Sequence, residues 1–284
     1  MSLSQNSAMK IGVVGLGLIG GSAAMAYKAA GHVVYGFDTD STILGYAKLS
    51  GVIDDVLFTE HYTDCDLIIL AATPKAMMDY IVENASKIPS SVLVVDFCGV
   101  KKDICSVGFE AAARYGFTFV GGHPMAGLQY SGFKHARATL FKGASMIIVP
   151  PVYDDMALLE RVKELLVPLE FKQLVVTSAE NHDEMIAYTS QLCHVVSNAF
   201  VKSPVAQKHH GYSAGSFRDL TRVARLNENM WTELFLDNKQ PLLDELDRLI
   251  NSLQQYREAI ENDDAQTLCS LLREGRIAKE QSEG

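Results

Sequence analysis

An apolar run, Ile11 to Val14, breaks into three glycines spaced as GxGxxG: Gly15, Gly17 and Gly20. No other stretch constrains the fold as tightly, because a strand that ends this way must turn at once into a helix. Gly15 permits the tight turn, and Gly17 lets the backbone approach a pyrophosphate. Gly20 lets the helix pack close to the strand, and the helix N-terminus, with Leu18 and Ile19, faces the phosphates. The small residues of Ser22 to Ala30 suit that helix, and Gly31 stops it. Val33 to Phe37 reads as a second strand ending at Asp38, 23 residues after Gly15. A carboxylate there accepts hydrogen bonds from a ribose 2′-OH and repels a 2′-phosphate, so the expected cofactor is NAD rather than NADP.

Alternation continues downstream. The pattern predicts strands at 66–71, 91–95, 116–121, 146–149 and 174–176, and helices at 42–49, 74–88 and 155–166. Past residue 178 the strands stop. Helices are expected at 179–201, 217–224, 231–250, 254–260 and 265–275. The expected fold class is α/β: a doubly wound, Rossmann-like parallel sheet over 9–176, followed by an all-helical domain over 177–284. The 231–250 helix is richer in apolar side chains than one buried stripe needs. A second subunit accounts for the excess, and so does a core position for each residue taken singly.

Composition excludes several classes. With 25 basic and 34 acidic residues the formal charge is −9, which argues against a nucleic-acid surface. No apolar run approaches 18 residues, so no membrane span is expected. The first ten residues are polar and lack the apolar core of a signal peptide. The five cysteines are odd in number and form no CxxC, as expected of buried thiols in a reducing cytoplasm.

Ligands of doubly wound sheets bind beyond the C-terminal strand ends, where Thr73, Asp96 and His123 fall. His123, between Gly122 and Pro124, is either a satisfied structural histidine or a proton acceptor beside a nicotinamide; neutral imidazole takes a hydroxyl proton near neutral pH. Asp96 belongs either to the cofactor rim or to a cap on the next helix. His182 and His194 sit twelve residues apart on one predicted helix. They point about 120° apart and make no metal pair, and HDEM lacks the HExxH spacing, so no metal is expected. Arg218 and Arg222 share a helix face. They await a carboxylate or phosphate ligand, or else pair within the chain, with Asp219 at hand.

Taken together, GLGLIGGS (15–22), DFCGVKKD (96–103), GGHPMAG (121–127), HDEMIAYTSQLCH (182–194), SFRDLTRVA (216–224) and MW with FLDNKQPLLDELD (230–247) resemble the prephenate dehydrogenases and their arogenate-using relatives. The resemblance runs from Lys10 to about Ile277. It implies NAD-dependent oxidation of the prephenate C4 hydroxyl with loss of the ring carboxylate, giving 4-hydroxyphenylpyruvate for tyrosine synthesis, in a homodimer built through the helical domains. It further implies His123 as the catalytic histidine, Arg222 as the grip on a substrate carboxylate, His194 at the pocket mouth and Trp231 on the pocket wall.

Three positions depart from the family pattern. Gly99 stands where a serine touches the substrate hydroxyl and the histidine; Cys98, Thr73 or a water are the alternatives for that contact. Gln129 replaces a common glutamate near the substrate, and Gln191 replaces the first histidine of SHLPH. The substrate is then prephenate, favoured because His123 and Arg222 are kept, or arogenate or another cyclohexadienyl acid. Two other classes compete. One is a β-hydroxyacid dehydrogenase, for which Lys202 is the nearest lysine base. The other is a non-catalytic dinucleotide-binding regulator, which leaves His123 and Arg222 without a joint purpose.

Overall fold

The computed structural model describes residues 8–128 and 130–283. Eight strands form one sheet: β1 (Lys10–Val14), β2 (Val33–Phe37), β3 (Asp55–Val56), β4 (Leu67–Leu70), β5 (Leu93–Asp96), β6 (Thr118–Pro124), β7 (Ser145–Val149) and β8 (Gln173–Val176). Their order is β3-β2-β1-β4-β5-β6-β7-β8. The helices between them are α1 (Leu18–Ala29), α2 (Ser41–Leu49), α3 (Pro74–Asn84), α4 (Lys102–Tyr115) and α5 (Met156–Leu166). Both faces of the sheet are covered. Ile11, Val13, Leu67, Ile69, Leu93 and Val95 belong to one apolar cluster, while Val14, Ile68, Leu70 and Val94 belong to the other. Period-two alternation with both sets buried explains why these strands read as continuous apolar runs.

The sheet is parallel from β3 through β6, but β7 runs antiparallel to β6 and β8 follows β7. The physical reason is the connection: among the described residues between β6 and β7 there is only a short 3₁₀ turn (Phe133–His135) and no α-helix, so the chain doubles back instead of crossing over. This places His123. Residues 118–120 pair with β5, whereas Gly121 to Pro124 overhang it and pair only with β7, His123 opposite Ile147. The histidine is therefore held in a strand rather than on the loop expected after residue 121.

After β8 all elements are helical: α6 (Ala179–Ile186), a π turn (Ala187–Leu192), α7 (Cys193–Phe200), α8 (Gly215–Thr221), α9 (Glu228–Asp237), α10 (Lys239–Glu261) and α11 (Ala265–Glu283). The helix expected over 231–250 is two helices. Asn238, at φ −112° and ψ 35°, breaks it, and Pro241 could not have bonded back to the Asp237 carbonyl. The 254–260 segment is the continuation of α10. α4 is not among the expected helices; Ile104, Cys105 and Gly108 of its 14 residues are buried.

A buried ion pair joins the sheet to α4. Lys101 and Asp96 are both fully buried and bonded to each other. The Asp96 carboxylate also accepts the N–H groups of Cys98 (2.8 Å) and Gly122 (3.2 Å). Lys101→Met leaves that carboxylate uncompensated and is expected to destabilise the fold by about 3–5 kcal/mol in chemical denaturation. Adding Asp96→Asn should recover part of that loss.

Candidate active site

The glycine turn has the geometry a dinucleotide requires. Gly15 adopts φ +87°, and a Cβ there would lie 2.5 Å from the Ala71 carbonyl oxygen. A Cβ on Gly20 would lie 1.8 Å from the Gly15 carbonyl oxygen, so only glycine lets α1 approach β1 this closely. A Cβ on Gly17 would meet nothing within 4 Å. Gly17 caps α1 without any side-chain hydrogen bond, and no acid occupies the first turn, so the N–H groups at Leu18 and Ile19 remain available to an anion. Asp38 Oδ2 accepts the Leu16 N–H (2.7 Å) and Oδ1 the Asp40 N–H (2.9 Å). Those bonds orient the carboxylate at the end of β2, and each oxygen keeps a lone pair for a ribose hydroxyl. Thr73, exposed, caps α3 beside the β1–β4 switch point. These residues fit a dinucleotide. Asp96 does not belong with them: it is the buried counter-ion of Lys101, and the cap of α4 is Lys101 itself.

His123, half-buried, is joined to the helical domain by a chain of hydrogen bonds. Its Nδ1 lies 2.9 Å from His182 Nε2, and His182 Nδ1 lies 2.7 Å from Asp183 Oδ1. Asp183 in turn accepts the backbone N–H groups of Lys101 (2.8 Å) and Lys102 (2.9 Å) at the start of α4. Burial, the neighbouring His182 and the Lys101 charge hold the His123 imidazole well below the usual histidine range. Burial and the Lys101 charge also lower His182, against the pull of Asp183. Both rings are therefore neutral at pH 7. His182 Nδ1 donates to the Asp183 carboxylate, so its Nε2 accepts from His123 Nδ1–H. His123 Nε2 is left as an acceptor, with no hydrogen bond among the described residues.

Neither His182 nor Asp183 figured among the expected site residues. The adjacent His-Asp pair at the start of the helical half was the available signal. The twelve-residue spacing to His194 misleads because the π turn absorbs one extra residue. The separation behaves as eleven α-helical steps, which returns the two histidines to within about 20° of one face.

His194 lies 3.8 Å, ring centre to ring centre, from Trp231 of α9 and stacks on it. Its Nδ1 donates to the Ser190 carbonyl (2.9 Å). Burial lowers its basicity, and so does the charge of Arg222, which brings Arg222 into the same neighbourhood. Among the described residues Asp219 forms no ion pair with Arg218 or Arg222. Leu234 covers Gly99: a Cβ there would stand 3.3 Å from a Leu234 methyl. Cys98 is buried in the apolar cluster that Leu234 packs against, and burial pushes its thiol up to about 12. Gln191, buried, donates to the Leu234 carbonyl (2.9 Å) and accepts from Asn238 (2.8 Å). Gln129 lies outside the described residues.

Two domain models of one family match the chain. Residues 23–175 match the model described as prephenate dehydrogenase, nucleotide-binding domain, and residues 178–274 the model described as prephenate dehydrogenase, dimerization domain. A prephenate dehydrogenase of Bacillus subtilis (strain 168) is 33% identical over 288 aligned residues, covering 96% of this chain and 75% of that one. Among solved structures, the prephenate dehydrogenase of Aquifex aeolicus in complex with hydroxyphenyl propionate and NAD+ superposes with a TM-score of 0.83. It is 25% identical and is covered over 98% of this chain and 99% of its own. Synechocystis arogenate dehydrogenase gives 0.78, at 26% identity over 96% of this chain and 100% of its own. With both domain models matched in order along a single sheet-then-helix architecture, the chain belongs to the prephenate dehydrogenase family.

Proposed function

We propose that this chain converts prephenate to 4-hydroxyphenylpyruvate with NAD, a step toward tyrosine, and that its division falls at 9–176 for the cofactor and 177–284 for substrate and dimer. The observation that carries this is the chain Asp183–His182–His123, which leaves one neutral, unpartnered imidazole nitrogen at the overhanging end of β6.

NAD bound at Gly15, Gly17, Leu18, Ile19, Gly20, Asp38 and Thr73 supplies the hydride acceptor. His123 Nε2 accepts the hydrogen bond of the C4 hydroxyl and takes its proton as hydride leaves C4. The new carbonyl is conjugated to the carbon that bears the ring carboxylate. When that C–C bond breaks, its electron pair enters the ring and CO2 departs, and the ring oxygen recovers the proton from His123. Aromatisation drives the second step, and the only proton it takes up is the one His123 returns. As His123 becomes charged, its Nδ1–H strengthens its bond to His182, and the Asp183 carboxylate steadies the pair. Arg222 holds a substrate carboxylate, while Trp231 and His194 form the wall. Gly99 offers no hydroxyl, so proton acceptance falls to His123.

A homodimer through the helical half is part of the same proposal. Only Leu242 and Ala259 of α10 are buried and no residue of α11 is, while Leu236, Leu243, Ile250, Leu253, Ile260 and Leu272 are exposed. A second copy would cover them. Of the five cysteines expected to be buried, Cys193 and Cys269 are exposed; all five are free thiols, which suits a reducing, cytoplasmic setting. No described helix is long and apolar enough to cross a membrane.

Mixing enzyme, NAD and prephenate and following the absorbance of reduced nicotinamide tests the reading; no signal with prephenate or arogenate would overturn it. His123→Asn should lower kcat by about 10²- to 10⁴-fold with near-normal NAD binding. Arg222→Ala should raise the prephenate KM about 10- to 100-fold, the loss of a charge-assisted hydrogen bond. His182→Ala should lower kcat by about tenfold or more at similar KM. It should also shift the acid limb of kcat/KM. Activity fails as pH falls through the His123 pKa, and removing His182 relieves one of the causes that depress it, so the limb should move upward.

A further inference from the structure

Charge in this acidic chain is unevenly placed. Between Lys202 and Arg225 lie five cations and one acid, against a formal charge of −9 for the whole. Two of those cations, Arg222 and Arg225, line one cavity of about 470 Å³ together with His209, Gln207 and Thr221. Local structure brings them there. α8 ends at Thr221, Arg222 caps it, and the Ala224 N–H closes a turn on the Thr221 carbonyl (3.1 Å). Asn198 of α7 pins that turn by donating to the Ala224 carbonyl (3.3 Å). Both guanidinium groups belong to exposed residues, and among the described residues neither has a carboxylate within 4.0 Å. Two unpaired guanidinium groups on one small cavity repel each other until a ligand with two negative charges arrives.

Resting on the functional reading above, we propose that Arg225 is the second carboxylate grip of the substrate pocket and selects the keto-acid dianion over its amino-acid counterpart. Prephenate carries two carboxylates and no cation. Arg222 takes one carboxylate and Arg225 the other. Arogenate carries an ammonium group beside its side-chain carboxylate, and that group faces like charge from both arginines. The selection is electrostatic, so added salt weakens it. It also needs no contact at His123, so it acts on KM and leaves the chemical step alone.

The test compares the parent, Arg225→Ser and Arg225→Lys for kcat and KM with prephenate and with arogenate, at low and high salt. Because Arg225 is exposed, the variants should keep the parent melting temperature. Expected for Arg225→Ser is a prephenate KM about tenfold higher at unchanged kcat, an arogenate KM that rises at least about threefold less, and partial recovery in Arg225→Lys. A prephenate KM within twofold of the parent, or an equal rise for both acids, would overturn the proposal. If the parent oxidises neither acid, the functional reading fails on its own. Calorimetric binding of prephenate then decides this one: tenfold weaker binding to Arg225→Ser supports it and equal binding sinks it.

Discussion

The buried pair of Asp96 and Lys101 is the contact on which the site depends. Removing two charges from water costs several kcal/mol per ion unless every remaining lone pair and proton is matched. Here the matching partners are structural. Asp96 ties the end of β5 to the Cys98 amide in the turn and to Gly122 on β6. Lys101 completes the turn into α4, and its own backbone N–H reaches Asp183 in the helical half. Asp183 orients His182, and His182 orients His123. A charge fully inside the protein thus fixes the direction of an imidazole at its edge, and the ammonium also helps to keep that imidazole neutral.

α9 does the complementary work on the other wall of the crevice. Within a few residues it places Trp231 on His194, sets Leu234 over Gly99, and sends Glu233 to cap α3, where its carboxylate accepts the Lys75 N–H at 2.8 Å. Asn238, just past its end, donates to the Asp183 carbonyl and to Gln191, both at 2.8 Å. The break between α9 and α10 is therefore an anchor: the side chain that interrupts the helix holds it against α6 and the π turn. Gln191, a departure from the family pattern, is absorbed into this anchor, and Gly99, another departure, is covered by a leucine. Arg225, by contrast, faces a cavity and is available for a ligand.

Much of this was legible before the fold was known. The glycine turn, Asp38 and His123 carry local signals, His194 and Trp231 were expected only through the family resemblance, and the short apolar strands announce themselves because both faces of the sheet are covered. α4 was not among the expected helices, although it buries more residues than α2, which was. The reversal of β7 was not legible: strand direction depends on what the connection packs against, and nothing within 146–149 encodes it. Pro241 did mark the helix break, but the leucines around it masked the mark.

By itself the sequence determined the cofactor turn, because three glycines at that spacing are a backbone requirement that neighbours cannot alter. It also determined the alternation of strands and helices, and the helical half that follows. Tertiary structure alone decided which histidine partners His123. Asp96 became a counter-ion and not a cofactor contact because its only matching charge lies inside the protein. The π turn re-aimed His194, and the turn after α8 set Arg225 beside Arg222. The His123–His182 contact joins segments 59 residues apart, a distance that packing fixes and local propensity does not.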